Sequence, residues 1–159
     1  MNLYLEELVN CGVIEYNHQR IISTQLGQAM AHNFIKFKTL KHFLKNNFTQ
    51  ISDIPDLLRL LSQSPDLLSQ IPFRGTDKAL LSKISACPRL IYPLSSKVDW
   101  ETWKKPFLFA QIALQSELTE FESKLTPTQR SDLQSIMDHF CRLLKCKTFL
   151  KRTYFSYFV

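Results

Sequence analysis

The segment from Leu125 to Cys146 constrains the fold more than any other part of the sequence, because it has the pattern of a helix with two unlike faces. Apolar residues recur at the three-and-four spacing of one helical face: Leu133, Ile136, Met137, Phe140, Leu143 and Leu144. Polar residues recur at the same spacing on another: Ser131, Ser135, Asp138, Arg142 and Lys145. We therefore predict a helix with a buried face and a polar face.

The polar side of this segment becomes basic toward its end. After Asp138 the charged residues are Arg142, Lys145, Lys147, Lys151 and Arg152, with no carboxylate among them. Such a face suits contact with a polyanion. The alternative is an ordinary solvated helix face, which is the commoner origin of this pattern.

Length and composition indicate a globular, helix-rich chain. Its 159 residues are enough for one ordinary domain with a real core, and 45% hydrophobic with 21% charged residues is not the composition of a disordered protein. Twelve Phe and only three Gly favour helices over loops. The net charge of +6 permits nucleic acid or an acidic surface as a partner without requiring either.

The four cysteines do not have the spacing of a metal site, and the histidines do not complete a ligand set. We interpret the cysteines as reduced packing residues of an intracellular protein. Glu6 and Glu7 occupy the position where the apolar core of a signal peptide would run. No apolar run approaches the roughly 20 residues that span a bilayer, so we expect no membrane partner.

The fold class predicted from these patterns is mainly α, a bundle of about seven helices preceded by a hairpin. The expected elements are a short helix Leu3–Asn10, strands Val13–Tyr16 and Arg20–Ser23, and helices Gln25–Asn33, Phe37–Lys45, one capped by Ser52, one from Pro65, one after Thr76 and Asp77, Phe107–Leu118 and one opened by Pro127. In the helix after Ser52, one face should carry Ile54, Leu57, Leu58 and Leu61.

For several polar and aromatic residues, we predict a structural role and not a functional one. Gln111 is expected to form hydrogen bonds inside the core, and Arg74 to form an ion pair within the domain. Gly27 should allow close helix packing. Trp100 and Trp103 should anchor the entrance of the helix that follows them.

The known sequence motifs of catalysis are missing from the chain. The three glycines stand alone and none precedes a lysine, so no phosphate-binding loop is formed. Cys141 and His139 are two residues apart on a helix and point away from each other, so they are a poor pair of nucleophile and base. We expect no catalytic residue and no cofactor held by this chain.

The order of the motifs resembles a known family. Thr24 to Thr39 is similar to the T-x-x-G-x-x-[AM]-[AS]-x-x-[YF]-[IV] junction of superfamily-two helicases, in which a winged helix is followed by a Sec63 homology domain. Ile51–Leu58 resembles the second leucine-rich helix of that domain, Ile71–Leu81 its R-x-x-E-x-x-L-L segment, and Lys104–Leu114 its K-x-x-L-L-x-Q-x-x-L helix. Gly75 and Asp77 depart from that pattern and leave its local ion pair unassigned.

Two further motifs resemble the meiotic, crossover-promoting branch of these DNA helicases. Arg89–Leu94 is similar to its I-R-[FY]-P connector, and His139–Cys146 to its H-x-x-R-L-[IV]-R-C sequence. The resemblance covers about residues 3 to 147.

The resemblance implies a domain organisation. Residues 1–23 would be the C-terminal remnant of a winged helix, residues 24–147 the Sec63 homology bundle, and residues 148–159 an unassigned aromatic and basic tail. The motor domains would lie outside this chain, together with the ATP and magnesium that they bind. We expect a fragment of a longer helicase, from a truncated gene model or read-through into non-coding sequence, with a genuine short protein as the alternative.

The resemblance also implies a function for the helix opened by Pro127. In the family this element, the ratchet helix, lies across single-stranded DNA as the strand leaves the motor. Aligned on Asp132 and Leu133, its strand-facing positions fall on Ser135 and Arg142. This alignment and the basic run after Asp138 together predict the nucleic-acid-binding residues Ser135, Arg142, Lys145 and Lys147. The implied partners are single-stranded DNA, the helicase's own motor domains and recombination proteins, in the nucleus, where the parent 3′–5′ helicase would act in meiotic crossover formation.

Two other functions remain open at this point. Sec63 homology domains also serve as protein-interaction scaffolds, as in RNA helicases of the spliceosome, and such a domain need not bind nucleic acid. An independent winged-helix protein that binds duplex DNA is the weaker alternative, because only the end of a winged helix is recognisable.

Overall fold

The computed structural model describes residues 2–45, 51, 53–94 and 102–146. These residues divide into two compact units. The smaller unit contains the described residues of Met1–Ile51 and of Cys141–Val159, and the larger unit those of Ser52–Phe140.

The smaller unit begins with a helix and a hairpin. Its elements are α1 (Leu3–Asn10), β1 (Ile14–Asn17), β2 (Arg20–Ser23), α2 (Gln25–His32) and α3 (Phe37–Lys45). The strands pair antiparallel, with Asn17 opposite Arg20. The turn between them consists of His18 and Gln19, which both have positive φ, as the tight turns of two-residue hairpins require. The predicted hairpin is confirmed, with its first strand one residue later than expected.

Thr24 and Gly27 join the hairpin to α2. The Thr24 hydroxyl accepts a hydrogen bond from the Gly27 N–H at 3.1 Å and donates to the Gly12 carbonyl at 2.6 Å. A Cβ atom on Gly27 would lie 2.2 Å from the Val13 carbonyl oxygen. The predicted helix cap at Thr24 is confirmed. The prediction of helix packing at Gly27 is wrong, because the backbone that approaches Gly27 is the Val13 carbonyl, which lies just ahead of the hairpin.

Helices α2 and α3 supply most of the buried apolar side chains of the first 51 residues. They are Leu26, Met30, Leu40 and Phe43, with Ile35 between the two helices. In contrast, α1 buries none of its residues. The predicted bounds of α3 are those observed.

The larger unit is built around one buried helix. Its elements are α4 (Ile54–Ser62), α5 (Pro65–Gln70), α6 (Gly75–Ser85), α7 (Lys104–Leu114), a 3₁₀ turn (Ser116–Leu118), α8 (Thr119–Ser123) and α9 (Pro127–Lys145), the last turns of which belong to the smaller unit. Every residue of α7 from Lys104 to Ile112 is buried. Because α4, α6 and α8 all contact it, α7 is the central helix of this unit.

Gln111 fixes the connector that precedes α7. Its side chain accepts a hydrogen bond from the Tyr92 N–H at 3.1 Å and donates to the Tyr92 carbonyl at 3.0 Å. Gln115 adds a bond to the Gln111 side chain at 2.9 Å and accepts one from the Ile91 N–H. Gln111 is 1% exposed, so its predicted role as a hydrogen-bonding core residue is confirmed.

Three local predictions are wrong. Helix α7 ends at Leu114 and not at Leu118, because the backbone becomes extended at Gln115, whose side chain turns back to Gln111 and Ile91. Helix α4 is capped by Asp53, whose carboxylate accepts from the Asp56 N–H at 3.0 Å; Ser52 lies outside the described residues. Its buried residues are Leu58, Leu60, Leu61 and Ser62, whereas Ile54 is exposed.

The predicted fold class is confirmed: the chain is mainly α, with a small antiparallel hairpin ahead of a helical bundle. The domain boundaries at residues 23 and 147 remain predictions.

Trp103 packs edge-on against Phe107, as expected of an anchor, with ring centroids 5.7 Å apart. Trp100 lies outside the described residues. Among the helices that the structure describes, none is long and apolar enough to cross a bilayer.

We expect Gly27→Ala to destabilise the chain by about 1–3 kcal/mol, because the added methyl group would overlap the Val13 carbonyl and force the hairpin away from α2. Urea unfolding followed by circular dichroism measures the effect. The matched control is Gly75→Ala, since nothing lies within 4 Å of that position. Equal effects of the two changes would show that the close approach at Gly27 is unimportant.

Candidate nucleic-acid interface

Helix α9 begins with a reciprocal pair of hydrogen bonds. The Thr126 hydroxyl accepts from the Gln129 N–H at 3.2 Å, and the Gln129 side chain accepts from the Thr126 N–H at 3.1 Å. This arrangement is a capping box, which satisfies two N–H groups at the helix start. Pro127 occupies the first helical position, where it needs no hydrogen-bond partner for its nitrogen.

The buried face of α9 is rotated from the predicted one. Leu133, Ile136, Phe140 and Leu143 are buried as expected. Met137 is only half-buried, and Leu144 is 44% exposed. The polar residues Gln129, Asp132 and His139 are buried instead. The prediction for Leu144 is therefore wrong, because polar side chains with hydrogen-bond partners occupy part of the buried face.

A buried ion network joins α6, α7 and α9 within the larger unit. The Lys105 ammonium, whose side chain is fully buried, donates to Asp77 and to Asp132, each at 2.7 Å, and to the Pro72 carbonyl at 3.0 Å. Arg74 forms a second ion pair with Asp132. Two cations thus face two carboxylates, so the network is balanced in charge.

Asp77 receives further hydrogen bonds in this network. The Gln129 amide donates to it at 3.0 Å, and the backbone N–H of Arg74 donates at 2.8 Å. Burial raises the pKa of Asp77, but the hydrogen bonds from Lys105, Gln129 and Arg74 outweigh it, and the net pKa is lowered. The ion pair left unassigned by the departures at Gly75 and Asp77 is therefore present. The predicted ion-pair role of Arg74 is confirmed.

His139 is held by the start of α5. Its Nε2 lies 2.8 Å from the Ser64 hydroxyl, and both residues are buried. Ser64 precedes Pro65 at the expected helix start, yet its hydroxyl does not cap α5. A hydrogen bond to a residue 75 positions away explains how an imidazole can occupy the buried face of α9.

The outward face of α9 carries the predicted polar residues. Ser131, Asp138 and Lys145 are exposed, and Ser135 and Arg142 are half-buried. Asp138 accepts a hydrogen bond from the Gln134 amide at 2.8 Å. The sequence-predicted polar face is therefore exposed at Ser131, Asp138 and Lys145 and partly covered at Ser135 and Arg142.

The structure brings only some of the predicted binding residues together. Arg142 and Lys145 are both in the last turn of α9 and belong to the smaller unit. Ser135 is on the same helix but belongs to the larger unit, and Lys147 lies outside the described residues.

Lys145 also lines a shallow depression in the smaller unit, of about 520 Å³, that the sequence did not reveal. Its other lining residues are Gln25, Gln28, Ala29, His32, Asn33 and Cys146. No pattern along the chain connects α2 with the end of α9, because more than 100 residues separate them. Polar side chains of α2 are thus added to the surroundings of Lys145.

The side chains on the outward face of α9 can supply positive charge and hydrogen bonds. In the described ranges, no group of three or more His, Cys, Asp and Glu side chains could hold a metal ion. Cys141 is exposed, which corrects its interpretation as a packing residue, whereas Cys146 is buried as expected. Arginine can bind a phosphate or stack on a base, lysine supplies a point charge, and serine a hydrogen bond.

Comparison with known proteins shows similarity to a domain family and to a helicase. The model of the family described as Sec63 Brl domain matches residues 23–156. The chain is also 29% identical over 159 residues to the ATP-dependent DNA helicase MER3 of Saccharomyces cerevisiae. That similarity covers 94% of this chain but 13% of the helicase, so the chain spans a small part of its relative's length.

We expect Lys105→Met to destabilise the chain by about 3–5 kcal/mol, because it leaves one buried carboxylate without a cation. The double change Lys105→Met with Asp77→Asn keeps the Arg74–Asp132 pair balanced and should be less destabilising than Lys105→Met alone. Denaturant unfolding of both variants measures this. Lys78→Met, at an exposed position of α6, is the control. A double variant less stable than the single one would exclude the proposed charge balance.

Because of Asp77, the free energy of unfolding should depend on pH in the acidic range. Its pKa in the folded chain is below the ordinary value of 3.8, so its contribution is complete above that value and is lost as the pH falls through the folded pKa. We expect the difference in unfolding free energy between the wild type and Asp77→Asn to be largest near neutral pH and to narrow below about pH 4. Urea titrations across this range measure it. A difference that is constant with pH would contradict the assignment.

Proposed function

Because the chain belongs to the Sec63 Brl domain family, we propose that it is a non-catalytic accessory part of an ATP-dependent DNA helicase, in which α9 guides single-stranded DNA. The similarity to a relative named as an ATP-dependent DNA helicase supports the helicase assignment. The strand-guiding role is supported by the exposed polar face of α9.

The charge distribution along α9 carries this proposal. Asp132 is turned into the larger unit and paired with Lys105, so its charge is compensated there. On the outward face the last carboxylate is Asp138. Arg142 and Lys145 follow it in the final turn, and the next charged residue of the sequence is Lys147. A nucleic-acid strand that follows the outward face would therefore meet increasing positive charge.

The proposed contacts differ in kind. Arg142 and Lys145 neutralise phosphates, and Lys147 continues the basic run. Ser135 contributes a hydrogen bond. Contacts of this type do not distinguish bases, so binding is independent of sequence, and phosphate neutralisation makes it sensitive to salt. The chain then supplies the path of the strand, while ATP and magnesium are bound by the motor domains of the helicase.

We extend the proposal to a cellular setting. The motifs at Arg89–Leu94 and His139–Cys146 resemble those of the meiotic branch, and the relative MER3 supports the same branch. We therefore propose a nuclear role in meiotic recombination, with the helicase motor and recombination proteins as partners.

A protein-interaction scaffold is the second candidate function. It is favoured by apolar side chains that are exposed in the smaller unit, namely Leu3, Tyr16, Ile21, Ile22 and Phe34. Contiguous exposed apolar side chains, such as Tyr16 opposite Ile21 in the hairpin, are typical of surfaces that another protein covers. A scaffold without nucleic-acid contact would show no salt-dependent affinity for single strands, whereas the strand-guiding function requires it.

We expect the chain to bind single-stranded DNA weakly. Arg142→Glu should lower the affinity by about fivefold or more, because the change removes a phosphate or base contact and adds repulsion. Fluorescence anisotropy with a labelled oligonucleotide at several salt concentrations measures this. Lys124→Glu, at an exposed position outside α9, is the matched charge control.

Two results would contradict the proposal. If Arg142→Glu and Lys124→Glu lower the affinity equally, Arg142 is not part of the binding surface. Binding that does not change between low and physiological salt would exclude phosphate neutralisation, since each phosphate contact on a single strand contributes about 0.7 to the salt slope.

A further inference from the structure

The smaller unit has a second basic surface, which we call the α1–α3 patch. It is a shallow depression of about 510 Å³ lined by Tyr4, Glu7, Lys36, Phe37, Lys38 and Lys41. Helix α1 supplies the first two residues, and the segment that begins α3 supplies the others. None of them belongs to the outward face of α9.

The charge of this patch follows from an uneven stretch of sequence. No acidic residue occurs between Glu15 and Asp53, and the basic residues there are Arg20, Lys36, Lys38, Lys41 and Lys45. Within the patch, Glu7 accepts a hydrogen bond from Lys41 at 3.0 Å. Lys36 and Lys38 are exposed. With three lysines against one carboxylate, the patch is positive.

An exposed aromatic ring stands beside these lysines. Tyr4 is 56% exposed, and its ring meets that of Phe37 edge-on, with centroids 5.9 Å apart. The Lys41 nitrogen lies 5.7 Å from the centroid of Phe37. Phe37 thereby supports Tyr4 next to the cations. An exposed aromatic face among lysines is the combination by which proteins bind unpaired bases and their phosphates together.

We propose that the α1–α3 patch binds single-stranded DNA, with Tyr4 stacked on a base and Lys36 and Lys38 at phosphates. An acidic peptide would use the lysines but would leave the tyrosine ring without a role, so the exposed ring favours nucleic acid. The inference rests on the proposed single-strand binding by this chain but not on the α9 contacts. It provides a second contact for the strand.

The test compares pairs of neutralised lysines in the full chain with a fluorescently labelled oligo-dT. Lys36→Gln with Lys38→Gln should lower the slope of log affinity against log salt by about 1.4, since each single-strand phosphate contact contributes about 0.7. Lys78→Gln with Lys83→Gln removes the same charge from exposed positions of α6 and should leave the slope unchanged.

The aromatic contact has its own test. Tyr4→Ala should lower the affinity by about fivefold or more, whereas Tyr4→Phe retains the stacking ring and should bind like the wild type. In the unaltered chain, oligo-dT carrying 5-iododeoxyuridine should crosslink to Tyr4 on irradiation, which requires no variant to fold.

The results separate this inference from the proposed function. If Arg142→Glu has no effect while the Tyr4 and lysine variants weaken binding, the α9 proposal fails and the α1–α3 patch stands. The inference is overturned if both lysine pairs give the same slope, or if Tyr4 does not crosslink. It is also overturned if polyglutamate of equal charge displaces the oligonucleotide from the patch as well as unlabelled oligo-dT does.

Discussion

The arrangement of the larger unit depends on the ion pairs that the fully buried ammonium of Lys105 forms with two carboxylates. A charge removed from water is tolerated only when it is paired and its hydrogen bonds are satisfied. Here α6 supplies Asp77, α9 supplies Asp132, and the chain ahead of α6 supplies the Pro72 carbonyl. A shift of any one helix by a turn would leave a buried charge without its partner. The network therefore selects one packing of these helices, which apolar contacts alone would specify less sharply.

The sequence predicted the elements of the fold well where local signals determine them. Thr24 caps α2, Pro65 opens α5, and the hairpin lies at the expected place, because each depends on neighbouring residues. Errors occurred where a distant residue decides the outcome. Apolar spacing placed Leu144 on the buried face of α9, but Asp132 and His139 occupy part of that face, because Lys105 and Ser64 satisfy them in the interior. Hydropathy along the chain contains no information about these partners.

The same distinction applies to the candidate binding surface: the sequence predicted the parts that depend on neighbouring residues. Charge and helical spacing were sufficient to place Arg142 and Lys145 on the outward face. The α1–α3 patch could not be predicted from the sequence, because Tyr4 lies in α1 and Lys36 just before α3, more than 30 residues apart. Its only local signal was the alternation of lysine and phenylalanine before and within α3, which the family resemblance explained as a junction motif.

Gln129 has two tasks in the structure: it completes the capping box of α9 and donates to the buried carboxylate of Asp77. Helix ends usually fray independently of the core. Here the first turn of α9 cannot open without removing a hydrogen bond from a buried charge, so that opening carries the cost of disturbing the ion network. We therefore expect the Gln129 amide hydrogen, which is bonded to Thr126 within this turn, to exchange with solvent at a rate set by opening of the buried ion network and not by fraying of the helix end.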